Sequence, residues 1–240
     1  LDNRVILIAK PDTATENDDY RPQLEVLING VLTPADEAVI PAGETQIQAR
    51  IKTEEDDVSE GKEEFTLTAT VLDGATANGT VTGKGTIIDD DGMPSILIGD
   101  AVLDEANGVM VFKVSLTNPS SSAVTVEYST QDDTATAGKD YVLTTGTITF
   151  PANTTVQYIT VPVLDDNVYE NDESFNVILS KPVNAEIADE LGVGTIKEND
   201  LPSIENTNGQ TTEGDYVDFV ISLTNPSDKD ITVSLTPIAG

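Results

Sequence analysis

The residues best placed to do chemistry are carboxylates, and they come in a cassette that occurs twice. Glu55-Asp56-Asp57-Val58-Ser59-Glu60-Gly61-Lys62-Glu63-Glu64-Phe65 recurs as Asp165-Asp166-Asn167-Val168-Tyr169-Glu170-Asn171-Asp172-Glu173-Ser174-Phe175, 110 positions later (165 − 55). Each copy runs into an alternating segment. Phe65, Leu67, Ala69 and Val71 alternate with Thr66, Thr68 and Thr70; Phe175, Val177 and Leu179 alternate with Asn176, Ile178 and Ser180. A period of two buries one face of a strand, so the carboxylates crowd a loop just before a core strand. Oxygen-only donors gathered at the end of a β-structure suit a hard cation, and Ca²⁺ is the first chemistry to consider.

Composition narrows the field. Lys and Arg number 12 against 43 Asp and Glu, a net charge of −31 with a pI near 4.1, which argues against nucleic acid or an anionic membrane as partner and for divalent cations. At 38% apolar residues the chain is too hydrophobic for a disordered acidic tail, and 240 residues can bury more than one core. There is no Cys and no His, which removes disulfides, thiolate and imidazole metal sites, and the usual acid–base and triad chemistry. The expectation is a non-catalytic protein. Apolar stretches such as Val5 to Ala9 fall far short of the roughly 18 residues of a membrane span, so direct membrane insertion is not expected. The chain starts at Leu1 without a charged-then-apolar leader, and reads as a piece of a longer protein.

The positioning elements repeat as well. Thr134-Ala135-Thr136-Ala137-Gly138-Lys139-Asp140-Tyr141 matches Thr13-Ala14-Thr15-Glu16-Asn17-Asp18-Asp19-Tyr20 at an offset of 121, so the first copy carries extra residues, about Arg21 to Val39, with an Asn29-Gly30 hairpin signal. Pro94-Ser95-Ile96 pairs with Pro202-Ser203-Ile204, Glu105 with Glu213, and Phe112, Leu116, Thr117, Asn118 and Pro119 with Phe219, Leu223, Thr224, Asn225 and Pro226. Residues 93–200 therefore form a complete unit, 1–92 lack its opening strands, and 201–240 supply little beyond those strands. The junctions Asp89-Asp90-Asp91-Gly92-Met93-Pro94 and Glu198-Asn199-Asp200-Leu201-Pro202 are short, acidic and stiffened by Pro. Alternation in Phe112, Val114 and Leu116 and in Ile159, Val161 and Val163, with turn signals Asn107-Gly108, Asn118-Pro119 and Pro151-Ala152-Asn153, predicts an antiparallel sandwich of about seven strands per unit. Tyr20 and Tyr141 are expected to pack on the sandwich wall with the hydroxyl on a backbone group.

In order along residues 93–200, Asp-Glu-x-x-Gly, Leu-Thr-Asn-Pro, Thr-Ala-Thr-Ala-Gly-x-Asp-Tyr, Gly-Thr-Ile-Thr-Phe, Asp-Asp-x-x-x-Glu-x-Asp-Glu-x-Phe and Gly-Thr-Ile-x-Glu-Asn-Asp resemble the Calx-β domain. The first unit, with Val31-Leu32-Thr33-Pro34, Ile40-Pro41-Ala42-Gly43 and Gly83-Lys84-Gly85-Thr86-Ile87-Ile88-Asp89-Asp90-Asp91, is similar to Calx-β-like repeats of large bacterial surface adhesins. The resemblance implies an all-β fold, tandem immunoglobulin-like sandwiches, one complete and two partial, that bind Ca²⁺ at one tip. Carried over by position, it implies ligands Glu105, Asp140, Asp165, Asp166, Glu170, Glu173 and Asp200 in the middle unit, with the Val168 carbonyl, and Asp19, Glu55, Asp56, Glu60, Glu63, Asp89, Asp90 and Asp91 in the first. Asn167 and Asn199 stand where richer members carry acids, and the first unit has no counterpart of Glu105.

A solvated acidic loop is the bland alternative, but a generic acidic surface has no reason to repeat its spacing before a buried Phe. Asn78-Gly79-Thr80 and Asn153-Thr154-Thr155 fit a glycosylation pattern, yet both sit where a tight turn wants Asn or Thr. Gly83-Lys84-Gly85-Thr86 lacks the upstream Gly and helix of a phosphate loop. The functional expectation is an extracellular segment that stiffens and extends a bacterial cell-surface adhesin, with neighbouring repeats as partners and head-to-tail self-association through the partial domains. The alternative is a regulatory calcium-sensing module of a membrane transporter. A carbohydrate-binding module is disfavoured by 5% aromatics and no Trp.

Overall fold

The computed structural model describes residues 3–28, 30–73, 76 and 78–236, and the chain divides into two compact units, Leu1–Gly92 with Pro119–Ser121 and Met93–Asn118 with Ser122–Gly240. The second unit contains β8 (Ser95–Ile98), β9 (Ala101–Asp104), β10 (Val109–Leu116), β11 (Val124–Asp132), β12 (Thr145–Phe150), β13 (Val156–Pro162), β14 (Glu173–Val183), β15 (Glu186–Ile187) and β16 (Leu191–Lys197). They form two sheets, β13-β10-β8-β15 and β12-β11-β14-β16-β9. Alternation decides which face is buried: along β10, Met110, Phe112, Val114 and Leu116 point in while Val109, Val111 and Lys113 point out. These meet Val126, Phe175, Val177 and Leu179 of the opposite sheet in one core. Phe175 stacks on Tyr141 (ring centroids 4.3 Å, 13°) and takes the edge of Phe112 (5.8 Å, 69°). Each such ring contributes about 1.5–3 kcal/mol through burial. The result is an immunoglobulin-like sandwich.

The first unit repeats most of this. Its strands are β1 (Asn3–Pro11), β2 (Tyr20–Ile28), β3 (Val31–Pro34), β4 (Glu37–Ile40), β5 (Ala49–Thr53), β6 (Glu63–Asp73) and β7 (Thr80–Ile87), in sheets β4-β1-β6-β7 and β3-β2-β5. By register, β1, β4, β5, β6 and β7 stand for β11, β12, β13, β14 and β16. Even the ladder irregularity recurs: β1 slips against β6 between Arg4 and Val5, as β11 slips against β14 between Thr125 and Glu127. The extra hairpin is β2–β3, turning through Gly30 at φ 79°; Asn29 lies outside the described residues. Among the described residues, nothing in this unit stands for β8, β9 or β10.

That gap corrects one expectation. Phe175, Val177 and Leu179 are fully buried, whereas only Phe65 of its row is buried and Leu67, Ala69 and Val71 are half-buried. Alternation reports which face a strand would bury, but the covering strand must be there to bury it.

Residues 201–240 cluster with the second unit. Within them β17 (Ile204–Asn206) pairs with β18 (Ile221–Leu223), and the pair Ile204–Leu223 repeats the register Ile96–Leu116 between β8 and β10. Among the described residues, no helix is long and apolar enough to cross a membrane, which says nothing of spans made from strands.

Candidate metal centre

Four segments bring carboxylates to one tip of the second unit. After β9 the chain makes a single 3₁₀ turn, Glu105–Asn107, which Gly108 closes at φ 72° by donating its N–H to the Glu105 carbonyl; that left-handed position is cheap only for glycine. A second tight turn, with Gly138 at φ 87°, presents Asp140, whose Oδ2 accepts the Thr136 N–H at 2.6 Å. The cassette between β13 and β14 supplies Asp166, Glu170 and Glu173, and the stretch after β16 supplies Glu198 and Asp200.

The carboxylates gather in two groups, Glu105 with Asp166 and Asp200, and Asp140 with Glu170 and Glu173, each offering oxygens within 4.8 Å of one another. Glu105 is buried, and its Oε1 accepts the Asp166 N–H at 3.1 Å. Burial, only partly offset by that bond, pushes the Glu105 carboxyl up to about 7. Burial, the Asp140 charge and a hydrogen bond to Asp140 likewise push Glu173 up to about 7. Burial first, then neighbouring carboxylates, also raises Glu170 and Asp200. The buried Oδ2 of Asp200 has no hydrogen-bond partner among the described residues. Like charges this close cannot all ionise unless a proton or a cation sits among them.

The first unit builds one such group, Asp19 with Glu60 and Glu63. Asn17, at φ 72°, turns the chain where Gly138 does, and the Asp19 carboxylate accepts the Thr15 N–H. Burial and a hydrogen bond to Asp19 push Glu63 up to about 7, burial raises Glu60, and the buried Oε2 of Glu63 is unpartnered among the described residues. Asp56 and Asp91 occupy the places of Asp166 and Asp200, and burial with neighbouring acids raises Asp91, but among the described residues none stands in the place of Glu105. This small cavity of about 50 Å³ is lined by Asp19, Asp56, Glu60, Glu63, Asp89 and Asp91.

Not every expected ligand joins these groups. Glu55, Asp56, Asp89, Asp90, Asp91 and Asp165 stand outside them, although all but Asp165 line the first unit's cavity. Asp89 works on the backbone instead, accepting N–H groups from Glu60 at 3.0 Å and Asp91 at 3.3 Å. Its counterpart Glu198, absent from the expected ligands, does the same for Glu170 and Asp200 at 2.5 Å each. Val168 contributes its N–H, bonded to Asp166 Oδ1 at 2.6 Å. Asp172 faces away to Lys197 and the Glu198 N–H. Asp228 was also missed: it hydrogen-bonds Glu170, held there because Tyr169 donates its N–H to the Pro226 carbonyl and accepts the Asp228 N–H, with Lys229 4.1 Å over the Tyr169 ring. The recurrence of Asn-Pro-Ser at 118 and 225 was the only signal in the sequence for that contact. The tyrosines differ from expectation too. Tyr141 gives its hydroxyl to the Asp132 carboxylate at 2.6 Å rather than to backbone, while the buried Tyr20 hydroxyl has no partner among the described residues, because Pro11 stands where Asp132 would.

The donor set suits a hard cation. Oxygens within 4.8 Å of one another can all touch one ion at the roughly 2.4 Å bond length of Ca²⁺, and the chain has no thiolate or imidazole donor to favour another metal. Among known proteins, the chain is 40% identical over 72 residues to sodium/calcium exchanger 1 of Canis lupus familiaris, covering 30% of this chain and 7% of that protein. It is 44% identical over 62 residues to the sodium/calcium exchanger Calx of Drosophila melanogaster, 26% and 6% of the two chains. The chain thus spans less than a tenth of these relatives. A solved structure of the apo-form Calx CBD1 domain matches 45% of this chain and 100% of its own, at 28% identity and a TM-score of 0.43. The Calx-beta domain profile matches residues 2–91 and again 89–201, which takes in the first unit and the sandwich of the second, and the chain belongs to the Calx-beta domain family.

Proposed function

We propose that this chain is a calcium-binding, non-catalytic segment of an extracellular bacterial adhesin, in which Ca²⁺ held at the tip of each repeat stiffens and extends the string of domains. One observation carries the calcium reading: Asp140 with Glu173, and Asp19 with Glu63, are paired at equivalent places in the two units, each pair joined by a third Glu with oxygens within 4.8 Å of one another. Such pairs are unfavourable by themselves and favourable around a cation. Asp140, Glu170 and Glu173 would hold one ion in the middle unit, and Glu105, Asp166 and Asp200 a second. Asp19, Glu60 and Glu63 would hold one in the first unit. When bound, the ion supplies the positive charge these residues lack, and the protein residues fix the loop and junction around it. Extracellular modules bind in the range of about 10⁻⁴ to 10⁻³ M, so export into calcium would set the tip. The adhesin reading is supported by the tandem, Pro-stiffened repeats and by the likeness of the first repeat to adhesin repeats.

The second reading, a calcium-sensing module of a membrane transporter, is favoured by the exchanger relatives. The complete gene separates the two: many further repeats with a secretion signal support the adhesin, and flanking membrane helices support the transporter. Calcium binding itself is tested by calorimetric titration of the chain and its variants. Glu173→Ala should abolish most of the heat of binding to the middle unit, whereas Asp172→Ala, whose carboxylate faces Lys197, should leave it unchanged; equal loss in both would mean diffuse charge attraction and no defined site.

A further inference from the structure

The middle tip receives a carboxylate from beyond its own sandwich. The turn Asn225-Pro226-Ser227-Asp228-Lys229 lies in the segment that follows β16, and matches Asn118-Pro119-Ser120-Ser121-Ser122 at an offset of 107 (228 − 121). Its backbone grips the cassette at Tyr169, whose N–H goes to the Pro226 carbonyl at 3.0 Å and whose carbonyl takes the Asp228 N–H at 3.1 Å. Asn225 Nδ2 donates to the Asp200 carbonyl at 2.6 Å, so the same turn also holds the stretch after β16. Inside the turn, the Ser227 hydroxyl accepts the Lys229 N–H at 3.0 Å and donates to the Lys229 carbonyl at 2.9 Å. These bonds fix the backbone of Asp228 without using its side chain.

That side chain turns toward the acids. Its carboxylate meets the carboxylate of Glu170 at hydrogen-bonding distance, and Glu170 already has oxygens within 4.8 Å of those of Asp140 and Glu173. Lys229, the neighbouring cation, is drawn off over the Tyr169 ring, 4.1 Å from its centroid, and toward Asp172. Acids in such contact repel one another unless a proton or cation is shared among them. Oxygens bound to one Ca²⁺ at about 2.4 Å stand roughly 3 Å apart, which is the spacing of a hydrogen bond.

The first unit provides the control. There Ser59, in the place of Tyr169, gives its N–H to the Pro119 carbonyl at 2.9 Å and takes the Ser121 N–H at 3.0 Å. The grip is the same, but Ser121 stands where Asp228 does and brings only a hydroxyl, 3.4 Å from the Ser59 carbonyl. The turn therefore has no need of an acid at this position, and the carboxylate of Asp228 serves the site it faces.

We propose that Asp228 is a ligand of the ion held by Asp140, Glu170 and Glu173, a carboxylate supplied by the segment after the sandwich. The inference rests on the calcium reading above. Ion and turn are then coupled: a docked turn raises the affinity of the site, and by thermodynamic reciprocity an occupied site holds the turn down by the same factor. In the first unit, with Ser121 in that place, the grip has no such dependence.

Calorimetric titration of the full chain with Ca²⁺ tests this. Asp228→Ser, which installs the residue the first unit carries in the same turn, should weaken one calcium of the middle unit about tenfold, because affinity follows the number of charged ligands. Asp230→Ser removes the same charge from an exposed position outside the groups, and should weaken it less than about twofold, as expected of a screened surface charge. Amide hydrogen exchange at Tyr169 and Asp228, the two N–H groups of the grip, should slow when calcium is added to the unaltered chain and should not slow in Asp228→Ser. Equal weakening by both substitutions, or exchange that slows equally in Asp228→Ser, overturns the assignment. Calcium binding that Asp228→Ser leaves intact overturns this proposal alone, whereas an unaltered chain that takes up no calcium also removes the reading on which it rests.

Discussion

The first and middle repeats carry the same cassette on the same strand, with the same bulge and the same stacked tyrosine, yet among the described residues the middle tip gathers two groups of carboxylates and the first gathers one. The cassette is local; the site is not. Glu105 arrives from the turn after β9, on strands that the first unit lacks among its described residues, and the same strands bring Phe112 over Phe175. Covering strand and buried carboxylate are thus a single acquisition: whatever closes the sandwich also completes the metal centre.

Four measurements would break or sharpen this contrast. The largest difference is expected in the cores. Phe175→Ala should cost the middle unit about 3–5 kcal/mol, and Phe65→Ala no more than about 2 kcal/mol, because a groove already opens beside it. Hydrogen exchange read separately over the two units checks this, and equal losses would mean that the missing strands matter little to the first core. Calcium comes next. At a hundredfold excess over Kd, binding adds about 2.7 kcal/mol to the folded state, enough to move a melting transition by several degrees. The unit with two groups should shift further than the unit with one, and coincident curves in calcium and in chelator would remove the metal from the account.

The third concerns acid. Glu63, Glu105 and Glu173 have folded-state values of about 7 against an ordinary 4.5, so their contribution to stability is full below the unfolded value and is lost as pH rises through the folded one. Calcium-free protein should melt higher at about pH 5.5 than at about pH 7.5, most clearly in the middle unit. The carboxylates with lowered values, such as Asp132 beside Tyr141 and Asp172 beside Lys197, lose their contribution only in more acid solution. A melting temperature that stays level or rises from about pH 5.5 to about pH 7.5 would show that the carboxylate pairs are not strained. The smallest contrast is between the tyrosines. Tyr141→Phe removes a bond to a carboxylate, a loss of about 1.5–3 kcal/mol, whereas Tyr20→Phe removes an unpartnered buried hydroxyl and should be neutral or stabilising. Equal effects in thermal melts would erase the distinction.

Much of this could be read from the chain. Alternation placed the core faces of β10, β13 and β14, and the Calx-β resemblance implied the gathering of Asp140, Glu170 and Glu173 at one tip with Asp19, Glu60 and Glu63 in parallel. What the sequence hid was orientation. Asp165 and Asp166 are adjacent and chemically alike, but it is Asp166 that places a carboxylate oxygen within 4.8 Å of those of Glu105 and Asp200 and gives its N–H to Glu105. Glu198 is not among the expected ligands, because its task, holding the backbone of Glu170 and Asp200, leaves no trace in spacing. The inserted hairpin announced itself by Gly30 and its flanking apolar runs, but not which edge of β5 it would occupy, since both edges of a strand carry the same side chains.

One pairing in the middle unit has a mechanical meaning. β9 and β16, near its two ends, lie side by side and run parallel, with Ala101, Val102, Leu103 and Asp104 opposite Gly194, Thr195, Ile196 and Lys197. A pull on the ends of this unit would slide the two strands lengthwise, so these four positions share the load instead of parting one after another as the rungs of a hairpin would.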